Sequence, residues 1–164
     1  MKVQDGCPVM DSDLHVIEMG EVYDKYLDER YRDKAPRYLG WSPTNFPHWD
    51  VQGQVIPPWA RSEEVIGPQR FLDAPTEGLY RPLRERGYDA ASTLEAMDAE
   101  GIDSAVMYRT FAHMVVSIDS LEPAYAAACC RAFNDWLADY CALDPERLLP
   151  AAIVTLHDPE LAAA

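Results

Sequence analysis

The chain has 164 residues, 48% of them hydrophobic, with 28 acidic residues against 14 basic ones and a formal net charge of −14 at pH 7. That length suits one domain with a sizeable core, and the composition excludes a disordered chain. So acidic a surface, without a basic patch, excludes nucleic acid as a partner; no apolar run reaches spanning length and no N-terminal signal pattern is seen, so the expectation is a cytoplasmic protein that meets no membrane.

Residues 8–15 read as a strand entering the core. Alternation along a strand would set Asp11, Asp13 and His15 on one face. Three ionisable groups there are costly to bury unpaired. A divalent cation removes that cost, because carboxylate oxygen and imidazole nitrogen are both ordinary ligands. Asp13 and His15, at i and i+2, can reach one ion from one strand end. The same spacing also suits a surface strand with a solvated Asp and a lone His.

Gly20 to Leu27 carries a short helical stripe of Val22, Tyr23, Tyr26 and Leu27. Pro36 to Pro82 then holds eight prolines and three of the four tryptophans, Trp41, Trp49 and Trp59. Proline at this density excludes long helices and central strands. Short strands are expected near Arg37–Trp41 and His48–Ile56. The segment reads either as a covering flap packed through its tryptophans or as a lid over a pocket for a flat organic substrate.

Asp89 can cap a helix whose Ala90, Ala91, Leu94 and Met97 share a face, with Ser92 and Glu95 as an alternative capping box. Gly101 ends it as a C′ glycine. Ile102–Tyr108 reads as a buried strand, with Arg109, Thr110 and His113 just past its end. Glu122 to Leu143 is a helix with one wide apolar stripe, Tyr125, Cys129, Ala132, Phe133, Trp136, Leu137 and Tyr140, and with Pro123 in its first turn. Asp144-Pro145 stops it. Arg147–Leu156 reads as a third strand, His157 follows, and Asp158-Pro159 looks like the cap of another helix. Among Cys7, Cys129, Cys130 and Cys141 no pair shows C-x-x-C spacing; Cys130 and Cys141 share a helix side but stand roughly 16 Å apart, too far for a disulfide. Reduced, partly buried thiols are expected.

Buried strands alternating with amphipathic helices predict parallel β/α units in an α/β fold. In such sheets chemistry gathers at the C-terminal strand ends, which here carry Asp13 and His15, then Arg109, Thr110 and His113, then Thr155 and His157. No Gly-rich phosphate loop follows any strand, which disfavours a flavodoxin-like binding domain.

The stretch Asp11-Ser12-Asp13-Leu14-His15-Val16-Ile17-Glu18, followed by Tyr26-Leu27 and Tyr31-Arg32-Asp33-Lys34-Ala35-Pro36-Arg37, resembles the opening of the amidohydrolase-related family, in the branch of aminocarboxymuconate-semialdehyde decarboxylase. Met97 to Asp103, Cys130 to Leu137 and Asp144 to Leu148 resemble later blocks of that family, in family order. The resemblance implies the N-terminal part of a (β/α)8 TIM barrel, about three β/α units plus the insertion at 36–82, in a single incomplete barrel domain over 1–164. It also implies a divalent metal, zinc or manganese, at the C-terminal mouth. Asp13 and His15 match the first two ligand positions, where the family has H-x-H or E-x-H; Asp is a departure that still donates oxygen. Glu18 matches a Glu behind the ligands or in a structural hydrogen bond, and Asn134 and Asp135 a structural helix motif. A barrel of this kind needs about 250 residues, so the chain is expected to be the opening of a longer protein, and the family's later ligands have no counterpart here.

The function implied is that of a metal-dependent hydrolase or decarboxylase acting on a small cyclic or aromatic carboxylate, as a homo-oligomer in full-length form. Arg109 would pair with the substrate carboxylate through its planar fork or else form a salt bridge. His113 and His157 are candidates for acid–base work. The alternative is a catalytically inactive barrel fragment, or a module that assembles with a complementary piece or with itself.

Overall fold

A computed structural model of the chain describes residues 6–18, 21–41, 47–56, 83 and 85–163. Its central layer is a parallel sheet of three strands, β1 (Met10–His15), β5 (Ser104–Tyr108) and β6 (Leu148–Pro150), in the order β1-β5-β6. Around it lie α1 (Glu21–Tyr26), α2 (Ala90–Glu100), α3 (Ala112–Val116), α4 (Pro123–Cys141) and α5 (Pro159–Ala162). A second, antiparallel sheet joins β2 (Arg37–Trp41), β3 (Pro47–Val51) and β4 (Gln54–Ile56). The result is a mixed α/β fold with a parallel sheet, as the alternation of patterns predicts. No helix among the described residues is long and apolar enough to cross a membrane.

The strands are shorter than expected, for local reasons. Pro8 has no amide hydrogen, and the Val9 N–H is taken by Asp103 Oδ2 at 2.6 Å, so β1 begins at Met10. Ile102 N–H closes the end of α2 on the Met97 carbonyl, 2.8 Å, so β5 begins only at Ser104. The third strand was expected to run to Leu156, but β6 ends at Pro150. After the last ladder bond, Ala151 N–H to Met107 O at 3.1 Å, a side chain of α4 takes over. Asn134 donates to Ile153 O and accepts from Ile153 N–H, each at 2.9 Å, and so replaces a strand neighbour with one amide.

A larger correction falls at 48–56. One strand was expected, and the chain instead makes a hairpin. Gln52 and Gly53 both take positive φ, 53° and 84°, as a tight two-residue hairpin turn requires. Asp50 holds the turn by accepting from Gly53 N–H at 2.7 Å, and it pairs with Arg37 across the sheet at 2.6 Å. The hairpin packs on the body through Trp49, edge-on to Tyr23 with ring centroids 5.6 Å apart. The remainder of the expected lid, residues 42–46 and 57–82, lies outside the described residues.

Helix α4 follows its sequence pattern closely: Tyr125, Cys129, Ala132, Phe133, Trp136 and Leu137 are all buried, and Arg131, Asp135 and Ala138 are exposed. Cys129, Cys130 and Cys141 are free and buried, and burial raises their thiols to about 12, 11 and 11, so they are inert packing groups. Helix α2 departs from its expected face. Ala91 is exposed, while Ser92 and Thr93 are buried beside Met97. Their hydroxyls find partners, Ser92 on the Asp89 carbonyl at 2.9 Å and Thr93 on Tyr140 at 2.7 Å, which permits polar residues on the inner side.

Asp89 caps α2 through Ser92 N–H at 2.7 Å, and bonding to Ser92 holds its carboxyl below the usual aspartate value of 3.8. A depressed carboxyl stabilises the fold above its unfolded-state value and loses that contribution as pH falls through the folded-state value. Asp89→Ala is therefore expected to lower stability by about 1 kcal/mol at neutral pH. Urea unfolding of both proteins from pH 7 downward should show the difference closing below about pH 3.8.

Candidate metal centre

Parallel pairing brings the C-terminal end of β1 beside that of β5, with His15 opposite Tyr108 and Leu14 opposite Met107. The pairing is not uniform along β1. Asp11 stands opposite Ala105 and Leu14 opposite Met107, so Ser12 and Asp13 together face the one residue between, Val106. This is a β-bulge, and the Asp11 carboxylate closes it by accepting from Asp13 N–H at 2.9 Å. The extra residue corrects the expectation for Asp11. Strict alternation would keep Asp11, Asp13 and His15 together, but the bulge leaves Asp11 on the side of Leu14. Asp13 and His15 share the other side, and their side chains meet, Asp13 Oδ1 to His15 Nε2 at 3.2 Å.

Glu18 organises the rest of the site. Three residues past β1 it is 1% exposed. Its carboxylate accepts three successive backbone N–H groups at the start of α3: Thr110, at 3.1 and 3.0 Å from the two oxygens, then Phe111 and Ala112. Successive N–H groups pointing inward make an anion cradle, here filled by a side chain of the same chain. Burial pushes the Glu18 carboxyl up, and these backbone donors pull against that shift. The bonds tie the end of β1 to the loop after β5, so the segment that carries Arg109, Thr110 and His113 starts beside His15.

Thr110 joins the two directly. Its hydroxyl lies 2.6 Å from the Val16 carbonyl and 3.4 Å from His15 Nδ1. Sequence reasoning placed Thr110 at the strand end but assigned it nothing, because a lone threonine after a strand carries no chemical signature. His113 is half-buried, and its Nδ1 is buried without a hydrogen-bond partner among the described residues. Burial lowers its pKa from the usual 6.5, and the neighbouring Arg109 and His15 lower it further, so its ring is neutral at pH 7. Arg109 forms no ion pair with a described residue, and a cavity of about 440 Å³ opens beside it, lined also by Tyr108, His113 and Ser117. His157 is placed differently. Its Nδ1 meets Thr155 Oγ1 at 2.9 Å and its Nε2 the Ile118 carbonyl at 3.0 Å, so both ring nitrogens are engaged in holding the segment after β6.

The donor set fits part of a metal shell. Two ligands on one tetrahedral zinc, each at about 2.0–2.2 Å, stand about 3.3 Å apart, and Asp13 Oδ1 and His15 Nε2 stand at 3.2 Å. Among the described residues no third His, Cys, Asp or Glu converges with them. A complete shell of four therefore needs ligands from beyond the described residues.

Removing Glu18 would take the carboxylate acceptor from three backbone N–H groups. Glu18→Ala is expected to cost about 3 kcal/mol or more, since each hydrogen bond to a charged group is worth about 1.5–3 kcal/mol. Glu18→Gln, which keeps one acceptor oxygen, should cost less. Denaturant midpoints of the two variants measure the difference.

The solved structure of an amidohydrolase from Mycobacterium avium subsp. paratuberculosis K-10 is similar to this one, with a TM-score of 0.62 and 18% sequence identity. The match covers 97% of this chain and 46% of that one, so the chain spans less than half the length of the solved protein. No protein-family model matches the sequence, and no curated protein does. At this identity the likeness is one of fold: over nearly its whole length the chain folds as a portion of that amidohydrolase does.

Proposed function

We propose that the chain supplies the first two ligands, Asp13 and His15, of the metal centre of a hydrolase built on a (β/α)8 barrel. The observation that carries this reading is the 3.2 Å approach of a carboxylate oxygen and an imidazole nitrogen at the C-terminal end of a parallel strand. Active sites of β/α barrels are built at that end, and the fold neighbour is an amidohydrolase. β1 has β5 as its one partner strand among the described residues, and the open edge is where a barrel would add the next strand. Further ligands, and the identity of the metal as zinc or manganese, would be set by residues beyond those described.

A divalent metal held there would polarise a substrate oxygen or activate water. The chain's own residues take the other parts. Arg109, facing the cavity beside β5, binds a carboxylate through its planar fork. His113, neutral at pH 7, is the group able to accept a proton. Glu18 holds the loop that carries both. His157, with both ring nitrogens engaged, serves as a strut and takes no part in proton transfer. The substrate is a small carboxylate, cyclic or aromatic. Hydrolysis is favoured over decarboxylation, because the amidohydrolase neighbour supports it and nothing in the site singles out the loss of carbon dioxide.

Metal analysis tests the reading. In protein of barrel length, stoichiometric zinc or manganese is expected, with Asp13→Ala and His15→Ala each reducing affinity by about a hundredfold or more, and Arg109→Met raising KM for carboxylate substrates. Metal-free protein that is indifferent to both ligand substitutions would sink the proposal.

A further inference from the structure

We infer that Thr110 is a positioning residue for His15: its hydroxyl tilts the imidazole toward the Nδ1–H tautomer, so that the Nε2 lone pair is offered to a cation beside the Asp13 carboxylate. The inference rests on the metal-site reading for its purpose, but the direction in which Thr110 biases the proton follows from the hydrogen bonds alone.

A hydroxyl has one proton and two lone pairs, a carbonyl oxygen can only accept, and a neutral imidazole carries a single N–H. Thr110 Oγ1 lies 2.6 Å from the Val16 carbonyl oxygen, a contact that must be a bond donated by the hydroxyl. Its one proton is committed there. What Oγ1 presents to His15 Nδ1, at 3.4 Å, is a lone pair. A favourable contact then needs the proton on Nδ1, which leaves Nε2 bare. With the proton on Nε2 instead, two lone pairs would face each other at the Thr110 contact. Asp13 draws the proton the other way, since its Oδ1 lies 3.2 Å from Nε2. Thr110 and Asp13 therefore compete for one proton. A cation between Asp13 and Nε2 ends the competition, because it satisfies the carboxylate and the bare nitrogen together while Nδ1–H stays on Thr110. Partners of this kind behind a metal-bound histidine fix its tautomer and orientation.

The position of the hydroxyl is itself determined. The Thr110 backbone N–H is held by Glu18, and Val16 is paired to β5 through its N–H on the Tyr108 carbonyl at 2.8 Å. Rotation of Oγ1 away from Val16 would leave that carbonyl short of its donor. The hydroxyl thus has one good orientation, and that orientation sets what it can do for His15.

The test uses Thr110→Val, which keeps the shape and removes the hydroxyl, and Thr110→Ser, which keeps the hydroxyl. The nitrogen-15 shifts of the His15 ring, recorded in the metal-free chain, report the tautomer. Wild type and Thr110→Ser should hold a larger Nδ1–H population than Thr110→Val. Zinc titration in protein of barrel length should show Thr110→Val about tenfold to a hundredfold weaker than wild type, with Thr110→Ser restoring the affinity. An unchanged tautomer balance in a folded Thr110→Val protein overturns the inference, as does a loss of zinc affinity that Thr110→Ser shares. If wild-type protein of barrel length binds no zinc while the tautomer shifts as stated, the metal-site reading fails and the role of Thr110 stands.

Discussion

The arrangement depends on one buried carboxylate. Glu18 leaves the end of β1 and accepts three consecutive N–H groups at 110–112, donors that the short helix α3 cannot satisfy within itself. Without that acceptor the loop after β5 would lose its carboxylate partner in a dry place, and the bonds of Thr110 and Tyr108 to Val16 would have to hold it to β1. With it, the hydroxyl of Thr110 meets both Val16 and His15, and His113 lies close enough to feel the charges of Arg109 and His15. A group that could be mistaken for a catalytic acid is the fastening on which the site geometry rests.

The alternation of parallel strands and long helices was readable from local patterns, although the short α3 was not foreseen and α2 turned a different face inward. The apolar stripe of α4 and the capping residues Asp89 and Gly101 are local signals, and local signals survive folding. The ends of strands were less readable. They are decided by long-range competition for N–H groups, as when Asn134 takes Ile153 from β6 or Asp103 takes Val9 from β1. The hairpin at Gln52-Gly53 was a readable turn hidden inside a strand-like run, since glycine after glutamine is a weaker turn signal than glycine after asparagine.

The site divides the same way. The approach of Asp13 and His15 follows from their spacing along one strand. The removal of Asp11 from that face does not, because a bulge depends on how the partner strand is registered. The Ile118 carbonyl that meets His157 and the Val16 carbonyl that meets Thr110 lie 39 and 94 residues away in sequence. No spacing rule reaches that far, so neither contact could be foreseen from the sequence.

The bulge in β1 also makes the strand two-phased. Residues before it and after it follow opposite conventions for which side faces the helices. Substitutions at Ser12 leave that phase intact. Loss or gain of one residue there would carry the change through Asp13, Leu14 and His15 together, exchanging the sides that the histidine and the leucine take. Variation in this stretch should therefore be tolerant in letter and strict in length.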